Sequence, residues 1–526
     1  MMAETLYDVL IVGSGHTGGM AAHMLTSKGI SCLMLNAGPV ADLSRDRRSM
    51  PGHELPYRGL RLLGAPRNPP VEEYQLNTFV DTNEVPYTHD PDKPFVWVRS
   101  RLVGGRSLTW SRNCHRLSDF EFKQKDHEDF GENWPLSHDE LAPHYEHVET
   151  LFRVVGRPEG LPQWPDSKFT EIESAPESSE VMARFQAATA KRDIRVSGRR
   201  QALGINGLTT SVNVLLPDAF ASGKLTLVPD AVVRELSVDS NTGLVNGAYF
   251  VHRQTRREMH AKARVVVLAA GSLESTRILL NSGIANSSGV LGHYVFDQVF
   301  GDVIYGFAPE ALNGEATPEL NGGSGFIPPF RNVGPGTWAP NFIGRYAVSV
   351  TSGVTPSDDV LGAYGEDLVK KRAMYANAGF SVSMLGEVVP RFENHVRLNK
   401  DVTDPWGISV LHASAQYGEN EDNMQVDAQN VLEELMHECG IEVLLRSGAR
   451  REFGQSTHEL GTCRMGDDPK TSVLNKWNQA HDVKNLFVVD GSCFVTGGWQ
   501  NPTLTMLALA SRAAEYLAEE LRQGSL

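Results

Sequence analysis

Apolar positions cluster first at Leu6 to Val12, LYDVLIV, a run too short for a buried helix and of the right length for a central parallel strand. An alanine-rich helical stretch, Met20 to Leu25, follows, and CLML, Cys32 to Leu35, is a second short apolar run. Strand, helix and strand make one βαβ unit over Leu6 to Pro39. The order returns in ARVVVLAAGSLESTRILLNSG, Ala263 to Gly283, where a buried strand ending at Gly271 runs into a helix that stops at Ser282 and Gly283. A second segment returning to the same parallel sheet is the economical interpretation. LFVVD, ending at Asp490, is a further buried strand, and LTMLALASRAAEYLAEEL after it has helical periodicity.

Between these segments the pattern changes. NWPLSHDELAPHYEHVETLF, Asn133 to Phe152, reads as a turn and a helix capped by Ser137 with Glu140 three residues on. Gly156 to Glu180 is connection and Val181 to Ala190 is helical. LTLV, VVREL and GAYFV, within Leu225 to Phe250, predict a small antiparallel element around the Asn241 to Gly243 turn. From Gly292 to about Arg450, Gly/Pro-rich loops (Asn321 to Asn341) alternate with YAVSVT and GFSVSML, which predicts a second domain with an antiparallel sheet; Asp427 to Glu438 is an amphipathic helix there. Ala41 to Asp92, rich in Pro, Arg and Asn, predicts covering loops. The fold class is α/β: a doubly wound, three-layer, Rossmann-like domain with an antiparallel-sheet α+β domain.

Composition narrows the function little. A chain of 526 residues exceeds a single core and predicts two domains or one with an insertion. The net charge of −15, without a basic run, argues against nucleic acid or an anionic membrane surface as partner and suits a neutral substrate. Cys32, Cys114, Cys439, Cys463 and Cys493 are scattered and odd in number, so neither a disulfide framework nor a metal site is expected. No run approaches the roughly 18 apolar residues of a membrane helix. The N-terminus lacks a basic signal-peptide region, so the chain reads as cytoplasmic, with export on a partner left open.

The candidate chemistry lies at strand ends. Gly13, Gly15 and Gly18 follow the first strand at G-x-G-x-x-G spacing, which suits a tight turn, close approach to a pyrophosphate and helix–strand packing. Asn36 ends the second strand where this dinucleotide fingerprint usually has an acid; its amide can still accept a hydrogen bond, or it simply closes the strand. Gly104 and Gly105, before Ser107 and Trp110, allow close backbone approach or make a bend. Asp490, Gly491 and Ser492 are placed to meet a cofactor at a crevice. Asn501 before Pro502 reads as a helix N-cap, and a helix N-terminus there would stabilise negative charge on a bound cofactor. His458 is a candidate base or a satisfied core histidine.

In order and across nearly the whole chain, GSGHTGG, RLVGGRSLTW, NWPLSHDELAPHYEHVE, AAGSLESTRILLNSG, HELGTCRMG and VVDGSCFVTGGWQNPTLT resemble the glucose-methanol-choline (GMC) family of flavin oxidoreductases. Thr276 stands where the central signature normally has Pro. The resemblance implies FAD, and Thr109 in the place of the family's flavin-linking histidine implies that it is not attached there. The family's catalytic histidine maps onto His458 and its partner onto Asn501. An Asn partner followed by P-T-L-T is similar to the sugar-oxidising branch of pyranose oxidases, glucoside 3-dehydrogenases and glycoside 3-oxidases.

The implied FAD-binding set is Gly13, Gly15, His16, Thr17, Gly18, Asn36, Gly104, Gly105, Ser107, Val232, Ala270, Gly271, Asp490, Gly491, Asn501, Pro502 and Thr503. The FAD domain is expected over 1–150, 195–295 and 455–526, and the substrate domain over 151–194 and 296–454, with substrate contacts from Ala41 to Pro94 and from Phe296 to Met384. Oxidation of a secondary sugar hydroxyl, the 3-position favoured, is the first reading, with oxygen, a quinone or a redox protein as acceptor and an accessory subunit allowed. A non-sugar alcohol dehydrogenase is the second; a flavin-binding protein without turnover is a third. The C-terminal residues disfavour a nicotinamide enzyme.

Overall fold

The computed structural model describes residues 6–40, 78–172, 180–309, 323–354, 361–446 and 452–526. Two sheets draw on strands β1 (Tyr7–Val12), β2 (Cys32–Leu35), β3 (Leu225–Val228), β4 (Ala231–Val238), β5 (Val245–His252), β6 (Glu258–Leu268), β7 (Gln298–Phe307), β8 (Ser324–Ile327), β9 (Tyr346–Ser352), β10 (Gly379–Glu387), β11 (Glu442–Arg446) and β12 (Leu486–Val488). The longer helices are α1 (His16–Ser27), α2 (His138–Leu151), α3 (Glu180–Lys191), α4 (Ser272–Ser282), α5 (Gly365–Ala378), α6 (Glu419–Glu438) and α7 (Thr503–Gln523). Among the described residues no helix is long and apolar enough to cross a membrane.

The first sheet has a parallel part in the order β3-β2-β1-β6-β12. Val9 to Val12 are buried on both faces, as a central parallel strand requires. β6 serves two partners because its pattern changes along its length. Glu258 to Lys262 pairs antiparallel with β5, and Ala263 to Leu268, apolar except for Arg264, pairs parallel with β1. β4 and β5 form the expected antiparallel ribbon. LTLV does not belong to it: β3 pairs parallel with β2 instead, a tertiary choice that four apolar residues cannot announce.

Helix α1 packs on α7, and α7 on α2. Ser137 and Glu140 make the capping box of α2 in both directions. The helix expected from Asp427 begins at Glu419, because Glu421 reaches back to the Gly418 N–H and holds a polar first turn helical.

The second sheet is antiparallel, β8-β9-β10-β7-β11. Helix α6 packs on β7 and β10. Residues 321–341 are not loop throughout: Ser324–Ile327 pairs with β9, and 321–322 lie outside the described residues. Of the expected covering loops, 41–77 likewise lie outside them. Buried Arg345, just before β9, meets Glu128 at 2.7 Å, Glu121 at 3.4 Å and Glu387 at 3.6 Å, tying residues 119–128 to the start of β9 and to β10.

Candidate active site

A cavity of about 680 Å³ opens between the carboxyl ends of β1, β2, β6 and β12 and one face of the antiparallel sheet. This is the crevice at which open α/β sheets hold ligands. At the β1 end the three fingerprint glycines divide by role. Gly13 has φ +104°, and a Cβ there would collide with the Ala269 carbonyl; a Cβ on Gly18 would collide with that of Gly13. Both are required by the protein's own packing. Among the described residues a Cβ on Gly15 would meet only the Gly104 oxygen, at 3.9 Å, so its bareness leaves room on the cavity side.

Gly15 is the N-cap of α1, with no side-chain cap and no acidic residue in the first turn. The N–H groups and positive helix end are therefore available to an anion. His16 and Thr17 line the cavity there. The His16 ring packs edge-on against Trp110, Nε2 donates to the Thr209 carbonyl at 3.2 Å, and burial pushes its pKa down to about 4.

Asn36 is held by the protein itself. Nδ2 donates to the Gly38 and Arg101 carbonyls at 3.0 and 2.9 Å, and Oδ1 accepts from the Ser14 hydroxyl at 2.7 Å. Ser14 in turn accepts from Gly104 N–H, and Ser107 donates to the Gly104 carbonyl at 2.6 Å, so the two glycine turns are clamped together. Gly105, Thr109, Val232 and Ala270 line the same space. Asp490 accepts from Gly271 N–H at 3.1 Å and from the Ser275 hydroxyl, joining the ends of β6 and β12. Nearby, Arg99, Arg101 and Arg277 share Glu274, and Arg277 also meets Asp404. Among the described residues three cations face two carboxylates here, and Arg101 Nη1 is buried without a hydrogen-bond partner.

At the far end the cavity is lined by His458 and Asn501. His458 Nδ1 lies 2.7 Å from Gln298 Oε1. Gln298 Nε2 donates to the Gly498 and Gln500 carbonyls at 2.9 and 2.7 Å, which fixes the amide with its oxygen toward the imidazole. Nδ1 must then carry the proton, and Nε2, with no partner among the described residues, keeps its lone pair. Burial, with a smaller push from the Arg106 charge, lowers the His458 pKa to about 3. The ring is thus a neutral acceptor over the whole physiological range.

Asp297 holds the backbone of the same residue, accepting from His458 N–H at 3.1 Å, from Gly454 N–H and from the Ser456 hydroxyl. Burial and the Glu459 charge push its own pKa up to about 6. Glu459 pairs with Arg106 at 2.8 Å.

Asn501 does not cap the last helix. Helix α7 starts at Thr503 with Pro502 as its N-cap and no side-chain capping bond, while Asn501 Oδ1 is buried without a hydrogen-bond partner among the described residues. Thr503 and Pro502 also line the cavity. Asp297 and Gln298 escaped the sequence reading. Their signal was two polar residues inside the apolar run YVFDQVF, an anomaly where a buried strand begins.

Two sequence models described as GMC oxidoreductase match residues 7–300 and 390–510. The chain belongs to the GMC oxidoreductase family. It is 27% identical over 571 positions to the fructose dehydrogenase large subunit of Gluconobacter japonicus, with 100% of both chains covered. It is 26% identical to 2-methyl-1,2-propanediol dehydrogenase of Mycolicibacterium austroafricanum, over 97% of this chain and 95% of that one. The crystal structure of pyridoxine 4-oxidase from Mesorbium loti superposes with a TM-score of 0.63 at 19% identity, covering 97% and 99% of the two chains, which shows the shared fold.

As a GMC oxidoreductase the chain binds FAD and acts on alcohol or sugar CH–OH groups. The residues present fit that cofactor. The uncapped α1 end, the space at Gly15, the unpaired Arg101 Nη1 and the surplus guanidinium suit a pyrophosphate-bearing ligand. The uncapped α7 end and Asn501 Oδ1 are open polar groups at the opposite end.

Proposed function

We propose that this GMC oxidoreductase oxidises a secondary ring hydroxyl of a neutral sugar or glycoside to the keto sugar, with the 3-position favoured. The observation that carries the reading is the imidazole of His458, held as the Nδ1–H tautomer by Gln298 and facing the cavity with a free Nε2. Nε2 takes the hydroxyl proton, and the Asn501 amide orients the oxygen and steadies its growing negative charge. FAD, when bound, supplies the acceptor for the hydride leaving the carbinol carbon.

Gly15, His16 and Thr17 at the α1 end, with Gly13 and Gly18 shaping the turn, hold the pyrophosphate. Asn36 and Gly104, Gly105 and Ser107 form its flank. Val232, Ala270, Gly271, Asp490, Gly491, Pro502 and Thr503 complete the cradle. In this reading residues 1–150, 195–295 and 455–526 form the FAD domain, and 151–194 and 296–454 the substrate domain. An asparagine at position 501 supports the sugar branch and its 3-position through the resemblance of that segment. The relative named as a large subunit supports an accessory subunit.

The test is the visible spectrum of the purified holoprotein, followed anaerobically as glucose and then methyl glucoside are added. Either sugar is expected to bleach the flavin bands, and His458→Ala to slow that bleaching by about 10²–10⁴-fold. Near-normal bleaching by His458→Ala removes the base assignment. The likeness to a diol dehydrogenase favours a second reading, a non-sugar alcohol substrate. Bleaching by 1,2-propanediols and by neither sugar selects it.

A further inference from the structure

The cavity has a second wall that the proton-transfer chemistry does not use. Phe326 on β8 pairs with Ser349 on β9, and Ser349 with Ser383 on β10. Two residues further along β10, Leu385 pairs with Phe300 on β7. Side chains two apart, or directly opposed across a ladder, share a face. All five therefore stand on one face of the antiparallel sheet, and all five line the cavity. The intervening residues Val348, Val350, Val382 and Met384 point the other way and are buried in the core. The Phe300 ring lies 5.6 Å from the His458 ring, centroid to centroid, which places this wall at the reacting end.

Ser349 and Ser383 are the anomaly. Serine adds nothing to strand packing, and neither hydroxyl has a hydrogen-bond partner among the described residues, although the two are directly opposed with Cβ atoms about 5 Å apart. None of the five residues is ionised. The Arg106 and Glu459 charges nearby are spent on each other.

We infer that this wall is a subsite for a neutral, polyhydroxylated ring, with Ser349 and Ser383 hydrogen-bonding neighbouring hydroxyls and Phe300 and Phe326 packing on its C–H face. The inference rests on the reading of His458 as the base and names the ligand that the same site holds. The serines fix which edge of the ring is turned away from His458, and the aromatic rings fix its plane. An alcohol without further hydroxyls gains the aromatic contact alone.

Ligand binding is measured by the perturbation of the flavin absorption bands in a His458→Ala holoprotein, so that binding is separated from turnover. Methyl glucoside and cyclohexanol are titrated into this background and into the same background carrying Ser349→Ala, Ser383→Ala or both. Each serine change is expected to weaken methyl glucoside about five-fold, and the pair more, with cyclohexanol changed less than about two-fold. FAD content reports that the fold is intact. Equal loss for both ligands, unchanged methyl glucoside affinity, or no methyl glucoside binding overturns the subsite. Methyl glucoside that binds as expected here but never bleaches the unsubstituted enzyme overturns the oxidation reading and leaves the subsite standing.

Discussion

An imidazole accepts a proton only at the nitrogen that lacks one, so a base in a buried site needs its other nitrogen held in the protonated form. Gln298 does this for His458, because both of its amide hydrogens are committed to the Gly498 and Gln500 carbonyls and only its oxygen is left. Replacing that oxygen by a carboxylate tests the arrangement. In Gln298→Glu the negative charge favours the imidazolium and raises the His458 pKa from about 3. The free base is then lost at a higher pH, so the acid limb of kcat/KM moves up by about one unit or more. A limb that stays put in a variant retaining FAD would show that Gln298 only fills space. His458 was legible in the sequence because residue type and the following G-T motif mark it. Gln298 was not, because a hydrogen bond across 160 positions leaves no local trace.

At the scale of elements, the site is made from helix ends that the protein leaves open. Both α1 and α7 begin without a side-chain cap or a first-turn acid. For α7 the sequence favoured Asn501 as cap, since Asn before Pro is a good helix start. Pro502 changes the outcome: with no N–H to satisfy and a φ of −76° already helical, it takes the cap position itself and releases the Asn501 amide. Asn501→Ala separates the two roles. Loss of a capping residue costs about 1 kcal/mol. Here the change in unfolding free energy is expected to stay below about 0.5 kcal/mol, as Asn501 Oδ1 has no hydrogen-bond partner among the described residues. Substrate-driven flavin reduction is expected to slow about 10²–10³-fold. Thermal melting and anaerobic stopped flow measure the pair of effects, and a large loss of stability with little change in rate would restore the capping role. The βαβ unit was readable because its turn glycines and apolar runs are local. The parallel pairing of β3 was not, since four apolar residues fit either sheet direction and only the neighbouring β2 decides.

At the scale of the molecule, burial leaves several titratable groups in an ionisation state other than the one they hold in water. Burial lowers the pKa of His16 and His144 to about 4 and of His115 and His458 to about 3. Unfolded, each would titrate near 6.5. Below that pH the unfolded chain therefore binds more protons than the native one, and stability falls as pH drops toward about 4. Carboxyls oppose this. Asp297, held near 6, and Asp490 and Glu387, raised first by burial, keep protons in the folded state that the unfolded chain gives up. Their contribution is present at low pH and is lost as pH rises through their folded pKa values, about 8 for Glu387, where burial raises the pKa most, Arg345 offsets part of the rise and Glu128 and Glu121 add to it. Such long-range burial was not legible in composition, which shows only an ordinary excess of acids. Four histidines outweigh the raised carboxyls between about pH 4.5 and 6, so the melting temperature of the apoprotein at constant ionic strength is expected to peak near neutrality. It should fall steadily below about pH 6 and more gently between neutrality and about pH 8, where the ionisation of Glu387 in the folded state is completed. A melting temperature that is flat from pH 7 to 4.5 would mean that the buried imidazoles, His458 among them, are not held neutral, and would remove the basis for a neutral base at the far end of the cavity.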